Sequence, residues 1–335
     1  MTNLFLIPIL ASFLITLLIL PSWMKRARRA GLVGKDIQKL RKVGVPEAGG
    51  VAVVVGFAFG LLLYIAINTF MLKVTDNFIE IFALMSSIFL ISFVAFTDDI
   101  LGWKIGLRRR TRLVLVAFAS IPLIAINAGK SSVLFPFYGV VDLGIIYPLL
   151  VIPIGIVGAT TTYNFLAGFN GLEAGQGIIV LSALAIVAWV TGSPWLSFVA
   201  LIMASSLLAF LFFNFYPARV FPGDTLTYTV GGLIAIIAIL GNFERLAVFF
   251  FIPYIAETFL KIRGGLVKQS FGEIKKDGSL ELKYGKIYSL NHLSISLMRR
   301  FGIKPTEVKV VLSLWAFQIL VILIGFAIFL RGVFL

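Results

Sequence analysis

Cysteine is absent from these 335 residues, and histidine occurs once, at His292. Without a thiol there is no disulfide framework, no thiolate metal site and no cysteine nucleophile, and a single imidazole cannot build a multi-histidine cage. Charge is scarce as well. Only 13% of the residues are charged, where an ordinary globular domain carries about 25%. Apolar residues fill the space instead, at 60% of the chain. No soluble fold buries that much apolar surface. The composition therefore excludes a soluble enzyme, a secreted disulfide scaffold and a disordered chain, and describes a polytopic membrane protein.

Ten apolar stretches approach the roughly 20 residues that cross a bilayer core. They are 4–23, 49–72, 78–97, 113–128, 145–163, 175–190, 195–213, 226–240, 246–260 and 308–330. The fifth carries Pro148 and Pro153, which predicts a kink. The expected fold is all-α: a single integral-membrane domain over 1–335 with ten transmembrane helices and one long cytoplasmic loop at 261–307. No Lys or Arg precedes the first stretch and a basic cluster follows it, so it reads as a span and not as a cleavable signal. No internal repeat is found.

The 29 basic residues, against 15 acidic ones, give a net charge of +14. Such an excess on a soluble chain suggests nucleic acid. Here the bases sit in loops between spans, and no nucleic-acid partner is expected. Twenty-five of them fall in the odd-numbered loops and four, Lys73, Lys130, Arg245 and Arg331, on the opposite side. By the positive-inside rule the odd loops face the cytoplasm and both termini lie outside. In the last loop, Gly278 within Lys276-Asp277-Gly278-Ser279 marks a tight turn, and the neighbourhoods 280–282 and 286–288 are expected to pair as a small hairpin.

Acidic residues are the informative minority, because ionisable groups at membrane depth are functional candidates. Asp76, Glu80, Asp142 and Glu244 fall in outer loops or span ends. Asp36, Glu47, Glu273, Asp277, Glu281 and Glu307 lie among lysines, and all ten read as solvated surface charge. Asp98, Asp99, Glu173, Asp224 and Glu257 remain, each in an apolar or glycine-rich setting at a cytoplasmic span end. Asp98 and Asp99 repel one another unless a cation or base stands close, and two carboxylates with substrate phosphates suit Mg²⁺. A solvated helix end is the plainer alternative. The 164–176 run supplies Asn164, Asn170, Glu173 and Gln176 with Gly168, Gly171 and Gly175, more polar groups than a turn requires. Asp224, in Pro222-Gly223-Asp224-Thr225, is either a helix N-cap or a cation ligand. Glu257 is placed to pair with Lys261 one turn on. Arg108, Arg109, Arg110, Arg112, Arg263 and Lys268 flank these acids, as a phosphate-handling site at a membrane surface needs. His292 is either structural or a substrate contact.

These segments, in this order, resemble the polyprenyl-phosphate N-acetylhexosamine-1-phosphate transferases. The 164–176 run is most similar to the branch that makes N-acetylglucosaminyl diphosphodolichol. Gly34-Lys35-Asp36, Pro46-Glu47, the Asp98-Asp99 pair and Gly223-Asp224-Thr225 extend the resemblance over nearly the whole chain. It implies transfer of N-acetylglucosamine-1-phosphate from UDP-N-acetylglucosamine to dolichyl or another polyprenyl phosphate, releasing UMP. That is the first membrane step of lipid-linked oligosaccharide assembly for protein N-glycosylation. The implied metal is Mg²⁺, with Mn²⁺ as its substitute, on Asn164 and Asp224. Asp98 and Asp99 become the catalytic pair. Asn170 and Glu173 read the nucleotide sugar, and Arg112, Arg263, Lys268 and His292 complete substrate binding.

The resemblance also allows a homodimer. Thr161 departs from the pattern, standing where relatives carry asparagine. The last loop lacks both the triple histidine of the bacterial peptidoglycan branch and the Arg-His-Arg run of the eukaryotic one. Compact length, the missing histidines and Asn170-Gly171-Leu172-Glu173 look archaeal, placing the protein in a prokaryotic cell membrane with its site facing the cytoplasm. Another UDP-N-acetylhexosamine donor, for cell-wall or surface polysaccharide, stays open. A secondary transporter or lipid flippase would need polar sites near the midplane, where acids and bases are nearly absent. A purely structural subunit leaves the 164–176 run unexplained.

Overall fold

The computed structural model describes residues 2–39, 43–135 and 139–329. Arg41, Lys42 and Arg331 of the charge distribution, and residue 330 of the last stretch, lie outside the described residues. The chain is mostly helical. In order it forms α1 (Leu6–Arg29), β1 (Val33–Lys35), β2 (Gly44–Pro46), α2 (Gly50–Ala66, continued by a π-helical turn Ile67–Leu72) and α3 (Phe78–Ile105). Then come α4 (Arg109–Phe118), α5 (Ile121–Ala125), β3 (Ser132–Phe135), β4 (Gly139–Asp142), α6 (Ile152–Phe165), α7 (Leu172–Val190) and α8 (Pro194–Asn214). The last third holds α9 (Gly223–Gly241), α10 (Glu244–Phe250), α11 (Ile252–Arg263), β5 (Glu273–Ile274), β6 (Leu280–Glu281), α12 (Leu290–Arg300) and α13 (Glu307–Phe329).

Among the described residues, eight helices are long and apolar enough to cross a membrane. The two expected stretches missing from that set, 113–128 and 246–260, are each interrupted. Helix α4 gives way to α5, which carries Pro122 in its first turn, and α10 stops before α11, which carries Pro253 in its first turn. Proline has no N–H to donate and its ring clashes with the preceding turn, so each pair is a broken helix. The prolines of the fifth stretch act similarly. A π-helical turn, Tyr147–Val151, leads into α6 with Pro153 in its first turn.

Among the described residues, three two-stranded antiparallel sheets sit outside the helices, pairing β1 with β2, β3 with β4 and β5 with β6. The hairpin of the last loop turns around Gly278 as expected, at φ +77°. Its partner strand, however, is Glu273–Ile274 and not the 286–288 segment.

Helix α9 is the hub. It packs between α3 and α6, and nearly every residue from Thr225 to Ile239 is buried. Gly231 permits the approach to α6, since a β-carbon there would stand 2.8 Å from the carbonyl of Ala159. At one end of the bundle the strand-like segment before α2 docks onto the segment before α9. Phe221 N donates to Pro46 O (2.8 Å), while Gly49 and Gly50 donate to Phe221 O and Pro222 O (2.9 Å each). Two helix N-termini are thereby set side by side.

Candidate active site

One cavity of about 700 Å³ opens at that end, and every odd-numbered loop contributes to it. The first supplies Lys35, Asp36, Gln38 and Glu47; the second Asp98 and Asp99; the third Asn164, Phe165, 167–170 and Glu173; the fourth Asn214 and Phe221–Asp224; the last Lys261 and 266–271. Four of the five acids singled out in the sequence therefore share one wall.

The aspartate pair does two different things, as expected of neighbours about 100° apart on a helix. Asp98 accepts from Leu107 N (2.5 Å) and from Arg112 (2.7 Å). Asp99 accepts from Asp224 N (2.7 Å), Thr225 N (3.0 Å) and the Thr225 hydroxyl (2.6 Å). Asp99 is thus the cap of α9, supplied from α3. This corrects the N-cap alternative for Asp224, whose side chain instead pairs with Arg112. Gly223 makes the approach possible: it holds φ +70°, and a β-carbon there would stand 2.8 Å from the Asp99 carboxyl carbon. Arg112 bridges Asp98 and Asp224 with its guanidinium over the Tyr228 ring at 5.1 Å. It stands behind the acids and does not itself line the cavity. Glu47 is half-buried beside Asp99, and burial, reinforced by the Asp99 carboxylate, pushes its carboxyl above the usual range.

Asn164, in the last turn of α6, faces α9. Its Oδ1 accepts from the Thr227 hydroxyl (3.1 Å), which also reaches Asp224 O (3.2 Å). The departure at Thr161 leaves a buried hydroxyl without a hydrogen-bond partner, close to Tyr228. Beyond Asn164 the loop is pinned from several sides. Glu173 accepts from Gly168 N (2.7 Å), Asn214 accepts from Gly171 N (3.0 Å), and Glu307 accepts from Asn170 N (2.8 Å). Asn170 also donates from Nδ2 to Asp36 (3.0 Å). Asp36 and Glu307 are therefore not solvated surface charges: each is 5% exposed. Gln176 is turned away from the cavity, donating to Leu314 O (3.2 Å). No motif in the sequence singles out Asn214, Thr227 or Lys39. A lone asparagine closing the apolar run of α8 was the available signal for Asn214.

The last loop corrects two assignments. His292 is fully buried and outside the cavity. Tyr288 N donates to its Nδ1 (3.3 Å), so Nε2 carries the proton and meets Phe271 O (3.1 Å). Burial holds this imidazole below its usual pKa, and it is neutral. His292 supports Phe271, which lines the cavity. Arg263 is exposed, 6.0 Å from the Tyr288 ring, and does not line the cavity. Lys268 does, resting on Tyr284 at 4.8 Å. Glu257 pairs with Lys261 as expected, at 3.8 Å. Its stronger contact is with Leu290 N at 2.6 Å, which caps α12.

The donor chemistry at this mouth suits a hard divalent cation. Asp224 and Asn164 offer carboxylate and amide oxygens, and Glu47, Asp98 and Asp99 add negative charge that Arg112 only partly offsets. Among the described residues no three His, Cys, Asp or Glu side chains are disposed to enclose a metal. An ion here would complete its shell with substrate phosphates and water, as Mg²⁺ commonly does.

The helical bundle thus carries a polar, acid-walled cavity at one end. Residues 81–242, which include Asp98, Asp99, Asn164 and Asp224, match the model of glycosyl transferase family 4. A Saccharolobus solfataricus protein, named provisionally as a UDP-N-acetylglucosamine–dolichyl-phosphate N-acetylglucosaminephosphotransferase, is 37% identical over 317 residues, 93% of each chain. The Dictyostelium discoideum protein of that name is 32% identical over 280 residues, 72% of this chain and 67% of its own. The phospho-N-acetylmuramoyl-pentapeptide-transferase of Chlamydia muridarum is 27% identical over 333 residues, 92% of each. The chain belongs to glycosyl transferase family 4, as the resemblance of its motifs implies.

Proposed function

We propose that this protein transfers N-acetylglucosamine-1-phosphate from UDP-N-acetylglucosamine to dolichyl phosphate and releases UMP. The observation that carries the reading is the single cavity in which Asp98, Asp99, Asn164 and Asp224 meet, in a chain 37% identical to a relative named for that reaction.

Ten crossings, with both termini outside, fit this cavity better than eight. Helices α3 and α6 both end at it, so α4 and α5 must carry the chain back across between them. Helix α9 leaves from it and α11 returns to it, so α10 and α11 together make another crossing. The 25 basic residues of the odd loops then put the mouth on the cytoplasmic side.

The nucleophile is an oxygen of the lipid phosphate. A phosphate monoester has a second pKa near 6, so at neutral pH it is largely deprotonated and needs no strong base. Repulsion between two anions is the larger barrier, and positioning and charge neutralisation lower it. Asp224 and Asn164 would hold Mg²⁺, or Mn²⁺ in its place, which supplies positive charge to the diphosphate. Lys35 and Lys268, both on the cavity wall, offer further charge to phosphates. Asp98, held from behind by Arg112, forms the polar end against which the lipid phosphate is oriented. Glu173 and Asn170 shape the wall that meets the nucleotide sugar. An apolar groove of about 400 Å³ between α3 and α4, lined by Leu90, Phe93, Leu107 and Phe118, reaches Thr97 next to Asp98 and would lay the lipid chain along the bundle.

The test is UMP release by purified protein in detergent with UDP-N-acetylglucosamine and dolichyl phosphate. Release is expected to require both the lipid and a divalent cation, and to stop with a chelator. Folded protein that releases no UMP from any UDP-N-acetylhexosamine would overturn the reading.

A further inference from the structure

Asn170 is held by a charge cluster that the transfer reaction does not itself require. Asp36, Lys39 and Glu307 come from the first cytoplasmic loop and the first residue of α13, more than 130 positions from Asn170 at both ends. Asp36 Oδ2 accepts from Asn170 Nδ2 at 3.0 Å and is ion-paired with Lys39 Nζ at 3.0 Å. Glu307 accepts the Asn170 backbone N–H at 2.8 Å through Oε1, and its Oε2 stands 3.9 Å from Lys39 Nζ. Lys39 also rests on the Tyr216 ring at 3.8 Å. Gln38, next in sequence, donates to Gly168 O at 3.2 Å. All three charged side chains are at most 15% exposed. A solvated surface pair contributes little, but two carboxylates sharing one buried ammonium are committed to their geometry.

The consequence falls on Asn170. A carboxylate only accepts, so Asp36 must face the amide NH₂ of Asn170. The asparagine lines the cavity, and with its NH₂ turned to Asp36 its carbonyl oxygen is left to meet a ligand. We infer that Asp36, Lys39 and Glu307 form a clamp that positions Asn170 as a hydrogen-bond acceptor toward a donor group on the nucleotide sugar. They are positioning residues that set donor affinity and leave the lipid substrate untouched. This inference rests on the transferase reading for its kinetic arm only.

The experiment has two arms. In the first, amide hydrogen exchange is followed in 165–171 for the wild type, Glu307→Ala, Glu307→Gln and Asp36→Asn. Glu307→Ala is expected to accelerate exchange there, and Glu307→Gln, which keeps an acceptor for Asn170 N–H, to restore most of the protection. Equal protection in all four proteins would overturn the clamp, whether or not the protein is active. In the second, KM is measured for each substrate. Loss of a hydrogen bond to a charged group should raise KM for UDP-N-acetylglucosamine about tenfold in Asp36→Asn and Glu307→Ala. KM for dolichyl phosphate and kcat should change less than about threefold. Parallel rises in both KM values, or a fall in kcat alone, would overturn it. If Glu307→Ala does not fold, Asp36→Asn against Glu307→Gln carries both arms. An inactive but folded wild type would sink the transferase reading and leave the exchange arm to decide the clamp.

Discussion

Asp99 shows how far the role of a residue can depart from its company. It stands beside Asp98 in the cavity wall, yet its two oxygens are filled by three donors from the start of α9. Removing a buried acceptor leaves those donors unsatisfied, at about 1–3 kcal/mol each where water cannot reach them. Asp99→Ala should therefore lower the thermal midpoint by several degrees and lose turnover along with the placement of Asp224. Asp99→Asn keeps one acceptor oxygen and should recover part of both. Asp224→Asn is the contrast: it should abolish turnover with little change in midpoint, because Asp224 donates its backbone, not its side chain, to the cap. Melting curves and UMP release measured on the three variants separate the roles. An Asp99→Ala protein that is inactive but as stable as the wild type would give Asp99 a direct part in the chemistry. The sequence made Asp98, Asp99, Asn164 and Asp224 legible because each interrupts an apolar run. It could not separate Asp99 from Asp98, since the difference lies in which helix start lies 125 residues away.

At the scale of elements, eight of the ten apolar stretches correspond to helices long enough to cross a membrane, and hydropathy alone did not show that the other two are interrupted. The stretches 113–128 and 246–260 are as apolar as their neighbours, and only the helix starts at Pro122 and Pro253 reveal the breaks in them. The same limit applies to the last loop. Lysine-rich composition there hides the cap that Glu257 gives α12 and the contact of His292 with Phe271 O, both made between segments distant in sequence. His292 is the clearest case. Its ring accepts from Tyr288 N and meets Phe271 O, which fixes the neutral form. Burial lowers its pKa below the unfolded value near 6.5. The unfolded chain then binds more protons than the folded one as pH falls through that value, so this contact stabilises at neutral pH and weakens in acid. Acidification from about pH 7.5 to 5.5 should lower the melting midpoint of the wild type more than that of His292→Gln. The pH profiles of kcat for the two proteins should keep the same shape. A profile that changes with the substitution would return His292 to the substrate.

For the whole molecule, the convergence of five loops on one mouth ties topology to chemistry. A site of this kind needs every odd-numbered loop on one face, so an error in a single crossing would dismantle it. The basic residues follow the same division, and their field favours an anionic nucleotide and a lipid phosphate at that face. The absence of cysteine makes the division open to direct measurement, because any introduced thiol is the only one present. Lys73, Lys130, Arg110 and Lys276 are all exposed. Replaced one at a time by cysteine and treated with a membrane-impermeant maleimide in right-side-out vesicles, Lys73→Cys and Lys130→Cys should be modified, and Arg110→Cys and Lys276→Cys only after the membrane is opened. Lys130 decides the matter. If α4 and α5 lay along one face without crossing, position 130 would share the side of position 110, and α6 would then end opposite Asp98. Labelling of Lys130→Cys together with Arg110→Cys would thus contradict the cavity itself, while labelling with Lys73→Cys would establish the interrupted α4–α5 pair as a true crossing.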